Sequence, residues 1–153
     1  MTNEKVLANK RKKPTPLSSP LDALLGYHLR RASAAMQAQL SEGYSKLGFR
    51  ITEASILIMI ESNPGIKQSE IGQALEIKSA NMAPLVAFLD ENDYVERMKL
   101  DGRSQGLHLS NKGKRMAKKL WTCIDENESW LLSHLPDVNR DAILQGLKNI
   151  WSE

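Results

Sequence analysis

The chain has 153 residues, with 21 Lys+Arg against 18 Asp+Glu, one cysteine and 5% aromatic residues. That length suits one domain, or one domain with a tail, and its 41% hydrophobic content is that of a globular protein rather than a disordered one. The longest unbroken apolar run, Ile56 to Ile60, is far short of the ~20 residues of a membrane span. The basic N-terminus is followed only by Val6-Leu7-Ala8, which is too short for the apolar stretch of a signal peptide. A lone Cys123 excludes an internal disulfide and a multi-thiolate metal site, and three scattered histidines argue against structural zinc. The expectation is a cytoplasmic protein with no metal, cofactor or membrane partner.

Residues 1–20 lack apolar periodicity and hold a Lys10–Lys13 basic cluster, so they read as a disordered basic arm, either touching DNA backbone or merely solubilising. From Leu21 to about Leu47 the spacing predicts a helix, with Leu21, Leu24, Leu25, His28, Leu29, Ala32, Met36 and Leu40 at three- and four-residue steps. Thr52 is placed to cap a second helix, with Glu53 in its first turn. Asn63-Pro64-Gly65 stops it.

Ile66 to Leu75 reads as a short helix, and Ser79 as the cap of the next. In that helix Met82, Leu85, Val86 and Leu89 form an apolar stripe, and the two helices make a helix-turn-helix candidate. Tyr94 to Leu100 and Gly106 to Leu109 then read as a β-hairpin around a Gly-containing loop. Ser110 caps a long helix to about Leu135, closed by Pro136, and a last helix covers roughly 137–151. The predicted fold is mainly α with a small β-wing: a winged helix-turn-helix between N- and C-terminal helices. The expected division is an arm at 1–20 and a winged helix-turn-helix domain at 21–153. Its DNA-binding part lies at about 52–110.

Charge is unevenly spread. Residues 97–119 carry eight Lys/Arg against Asp101 alone, a block that suits phosphate neutralisation or, equally, a solvated helix face. A second helix of this motif enters the major groove, and a basic hairpin tip suits the minor groove or flanking phosphates. Arg103 at the loop tip is a planar, permanently charged donor, which Asp101 could orient across Gly102. The alternative is a plain surface ion pair. Between Ser79 and Phe88 there is no Lys or Arg, and only Lys78 sits at the entry. Base reading there falls to Asn81, able to bond adenine bidentately, with Ser79, and with Met82 and Ala83 as thymine-methyl contacts. Met82 also lies on the core stripe. Pro84 either deletes a helix hydrogen bond or, if the helix starts nearer Asn81, falls harmlessly in its first turn.

The chain resembles the MarR family of bacterial transcription regulators (the multiple-antibiotic-resistance regulators). The resemblance is carried by Lys67-Gln68-Ser69-Glu70-Ile71-Gly72, by Leu89-Asp90-Glu91-Asn92-Asp93-Tyr94-Val95-Glu96-Arg97, and by Asp101-Gly102-Arg103-Ser104-Gln105-Gly106-Leu107-His108-Leu109-Ser110 with Gly113 beyond. The last matches the family's wing signature. The resemblance implies a homodimer on a pseudo-palindromic double-stranded operator, with dimerisation helices at about 21–47 and 111–151. It adds Ser69, Arg97, Ser104 and Gln105 to the expected DNA contacts, and makes repression the default; the alternative is a winged-helix protein-interaction module, or a non-specific DNA binder without a small-molecule effector.

Many members of that family release DNA when a phenolic or aromatic acid, or a related thioester, binds beside the dimerisation helices. Here Tyr27, His28 and Arg31, within one turn, could hold a carboxylate or phenolate, with Met36, Ile58 and Met59 as adaptable apolar walls. The other reading pairs Arg31 with Asp22 or a partner-chain acid and leaves His28 at a dimer interface. Cys123, in the long C-terminal helix, reads as a structural thiol. An enzyme is not expected: the phosphate-loop, dinucleotide, zinc-protease and serine-hydrolase motifs are all missing, and the three histidines stand far apart.

Overall fold

The structure, a computed structural model, describes residues 19–100, 104–135 and 137–152. A 3-10 turn, Pro20–Ala23, precedes six helices and one hairpin among these residues. The helices are α1 (Leu25–Lys46), α2 (Ile51–Ser62), α3 (Gln68–Ala74), α4 (Ser79–Glu91), α5 (Asn111–Ser133) and α6 (Arg140–Trp151). The strands are β1 (Val95–Lys99) and β2 (Gln105–Leu109). The mainly helical fold with a two-stranded wing agrees with the sequence expectation; several boundaries do not.

The helix expected from Leu21 is split. Ser19 accepts the Leu21 N–H, the 3-10 turn closes from Leu24 N–H to Leu21 carbonyl at 2.9 Å, and Leu24 is extended at φ −98°, ψ 118°. That extended residue interrupts the hydrogen-bond ladder, so α1 starts afresh at Leu25.

Thr52 does not cap α2, because the helix begins one residue earlier. Arg50 occupies the cap position and its N–H donates to Glu53 Oε2 at 2.8 Å. The carboxylate thereby satisfies one of the donors a helix start leaves open. Beyond it Ala54, Ile56, Leu57 and Ile60 are buried, which makes α2 the centre of the core. Around it pack Tyr44, Phe49, Ile71, Met82, Val86, Leu89, Val95, Leu107, Ala117 and Leu120.

Ile66 is not helical. Gly65, at φ +88°, donates to the Leu107 carbonyl, and Leu107 N–H donates to Ile66, each at 2.9 Å. The residues before α3 therefore dock on the wing, and α3 begins only at Gln68, with Glu70 Oε2 accepting the Lys67 N–H at 2.8 Å. Gly72 lets α3 close on α4, since a Cβ there would lie 3.1 Å from the Ile77 carbonyl oxygen and 3.2 Å from Met82 Cγ.

The wing pairs antiparallel, from Val95 opposite Leu109 to Lys99 opposite Gln105. Ser110 caps α5 as expected, accepting the Gly113 N–H at 3.0 Å and donating to the Asp93 carbonyl at 2.6 Å. Pro136, expected to close α5, lies outside the described residues. The last helix starts later than expected, because the Asn139 side chain accepts the N–H groups of Asp141 and Ala142. No residue of α6 is buried.

Candidate nucleic-acid interface

The reading end of α4 is built by burial on its other face. Met82, Val86 and Leu89 turn inward, which leaves Lys78, Ser79, Asn81, Ala83 and Pro84 exposed together. Ser79 is not the cap: Lys78 holds that position, and Ser79 is the first helical residue, its hydroxyl outside the capping role. Ser69 on α3 is also exposed. It shares with Gln68, Gln73, Lys78 and Ser79 the lining of an open cavity of about 660 Å³ between α3 and α4. Gly72, Glu76, Ile77 and Met82 complete the lining, so Lys78 is balanced there by an acidic side chain.

One expectation is corrected here. Met82 is 2% exposed and packs against Gly72, so it belongs to the core and cannot contact a thymine methyl without unfolding the motif. Of the two readings of Pro84, the one that deletes a helix hydrogen bond holds, since Pro84 lies inside α4; the helix nevertheless continues to Glu91.

On the wing, Arg97 Nε lies 3.0 Å from Asp90 Oδ2, so its charge is engaged by the recognition helix. Gln105 is exposed, and Ser104 is half-buried, with its carbonyl accepting the Leu100 N–H at 3.1 Å. Asp101 and Arg103 lie outside the described residues. Lys99, exposed opposite Gln105, was not singled out from the sequence; its place on the last described rung brings it to the wing's outer end. The 97–119 block is also not one uniform phosphate surface. Lys112 donates to the Asn92 carbonyl at 2.7 Å and sits 4.6 Å over the Tyr94 ring.

Of the effector candidates, Tyr27 and Arg31 are brought together: Arg31 Nη1 donates to Tyr27 Oη at 3.0 Å, which raises the guanidinium's already high pKa. His28 Nε2 pairs instead with the Asp22 carbonyl oxygen at 2.9 Å. These groups stand on the exposed start of α1, an open surface on a single chain. Met36 is half-buried on α1, and Ile58 and Met59 are half-buried on α2 against the core. Cys123 is half-buried beside Gly43, and burial, with Glu126 nearby, pushes its thiol pKa up. Among the described residues no helix is long and apolar enough to cross a membrane.

The exposed start of α4 beside a two-stranded wing defines a winged helix-turn-helix fold. The MarR family profile matches residues 49–104, from the start of α2 through the wing loop. The HTH-type transcriptional repressor Rv2887 of Mycobacterium tuberculosis is 27% identical over 134 residues, covering 86% of this chain and 96% of the relative. The transcriptional repressor CouR bound to a 23-mer DNA duplex superposes with TM-score 0.77 at 28% identity, covering 85% of this chain and 94% of that one. CouR bound to p-coumaroyl-CoA gives TM-score 0.76 at 26% identity, with 91% and 99% covered. The chain thus matches the MarR family model over its winged helix-turn-helix part and is similar along most of its length to repressors of that kind. The likeness is to DNA-binding transcription regulators, not to enzymes.

Proposed function

We propose that the chain works as a homodimeric, sequence-specific repressor on a pseudo-palindromic duplex. Each α4 offers Lys78, Ser79, Asn81 and Pro84 to the major groove, with Ser69 on adjacent backbone. Arg103, with Asp101, Ser104 and Gln105, serves the minor groove or its phosphates. The observation that carries this reading is the exposed, polar start of α4 set beside the wing. The likeness to a repressor bound to DNA supports it. The helices at 21–47 and 111–151 form the dimer. In support, Leu25, Ile150 and Trp151 are 75%, 71% and 73% exposed, an apolar surface that a second copy would cover.

Release by a small aromatic acid or its thioester fits the same reading. It is supported by the Tyr27–Arg31 pair and by the ligand-bound likeness above. Selection of duplexes from a random DNA pool tests the core of this proposal, with Arg103→Ala as control. Enrichment of a two-fold symmetric site with half-sites about one helical turn apart supports it; recovery of unselected sequence overturns it.

A further inference from the structure

The C-terminal turn of α4 is gripped from two sides. From the wing, Arg97 reaches back to Asp90 across 3.0 Å. From α5, Lys112 donates to the Asn92 carbonyl, and from its cap Ser110 donates to the Asp93 carbonyl. The chain between Asp90 and Arg97 turns through Asp93 at φ 58°, a left-handed conformation that non-glycine residues adopt rarely. The base of the wing is held by buried Val95, Leu107 and Leu109 and by the Ile66–Leu107 pairing, and Asp90–Arg97 adds a side-chain link from α4 to the middle of β1. Arg97 also shares the face of β1 that carries buried Val95, because strand side chains alternate, and so it is turned toward the helix.

Asp90 poses a problem that the pair resolves. An acidic side chain on an element that approaches a polyanion opposes binding by itself; joined to Arg97 it is neutralised. We propose that the Asp90–Arg97 pair is a brace that fixes the angle between the recognition helix and the wing, making Arg97 a positioning residue rather than a phosphate contact. This rests on the DNA-regulator reading above. The two side chains are 36% and 44% exposed, so the pair adds little to global stability. Its effect is geometric: the outer half of the wing lies beyond Arg97, and any slack there displaces the tip from the groove.

The test uses the full chain and the duplex that it enriches from a random pool, with affinity followed over a series of salt concentrations. Asp90→Asn and Arg97→Gln should each weaken binding by a similar factor, about two- to fivefold. The double substitution should be no weaker than either single one, because the two act as a unit. Melting temperatures and the log–log salt slope should not change. Tighter or unaltered binding by Asp90→Asn would overturn the brace, since a mere nearby negative charge can only gain from neutralisation. So would a salt slope shallower by about 0.9 in Arg97→Gln, the mark of one lost phosphate contact. Failure of the unsubstituted chain to enrich any duplex would instead sink the regulator reading itself.

Discussion

Gly113, in the first turn of α5, lies so close to the Tyr94 carbonyl that a Cβ at this position would collide with backbone oxygen. The same carbonyl accepts the Ser110 N–H at 3.1 Å, so it cannot swing away without breaking the joint between α4, the wing and α5. Gly113→Ala is therefore expected to cost about 1–3 kcal/mol of stability, as overpacking does. Urea unfolding would measure it. An unchanged midpoint would mean that the joint yields easily and does not anchor α5.

Adjacent residues on α4 should separate recognition from packing. Asn81 is exposed, whereas Met82 is 2% exposed. Asn81→Ala is expected to leave stability nearly unchanged and to relax preference at one base pair by about 1–3 kcal/mol. Met82→Ala is expected to cost about 2–5 kcal/mol of stability, through lost burial and a cavity against Gly72. Base-preference profiles and melting curves on both variants check the contrast. Retained preference in Asn81→Ala would move base reading to other side chains.

These two residues also show what the sequence made legible. The i, i+4, i+7 spacing of Met82, Val86 and Leu89 follows from helix geometry alone, so the buried stripe and the outward place of Asn81 could both be read. The wing was legible because its loop glycine and flanking alternation are local signals. Caps were less so. At Thr52 and Ser79 the favoured cap residue lost to the residue one or two positions before it. At α2 a carboxylate three residues on supplied the missing acceptor to the Arg50 N–H. The pairing of Ile66 with Leu107, and of Arg97 with Asp90, crosses element boundaries with no periodic spacing to announce it. That is why Asp90 was not legible as the partner of Arg97, and why Met82, which satisfied both a core and a base-contact pattern, needed its surroundings to decide.

Alkaline pH should weaken the fold through Tyr44. Burial, and then the nearby Cys123, push its phenol pKa from 10.0 up to about 12. The folded state thus prefers the neutral phenol more than the unfolded chain does. Its contribution to stability is fully present below about pH 10 and is lost as pH rises through about 12. Unfolding midpoints measured from pH 8 upward should decline over that window, and Tyr44→Phe should flatten the decline. An identical decline in the variant would assign the effect to other groups, such as the Cys123 thiol, whose pKa is also raised.

The sharpest prediction for assembly concerns the end of α6. Ile150 and Trp151 present large apolar side chains to solvent, although the helix has a well-formed cap at Asn139 and ordered hydrogen bonding to its end. An isolated helix of twelve residues is marginal in water, so α6 needs a packing partner that its own chain supplies only sparingly. Trp151→Asp combined with Ile150→Asp is expected to convert the dimer to monomer in sedimentation equilibrium. Circular dichroism should stay largely helical, because α2 to α5 carry the core. With the two reading helices no longer linked, affinity for a two-half-site duplex should fall by about a hundredfold or more, while affinity for a single half-site changes little. A variant that remains dimeric and binds the full site normally would place the interface elsewhere and leave the apolar end of α6 in need of another partner.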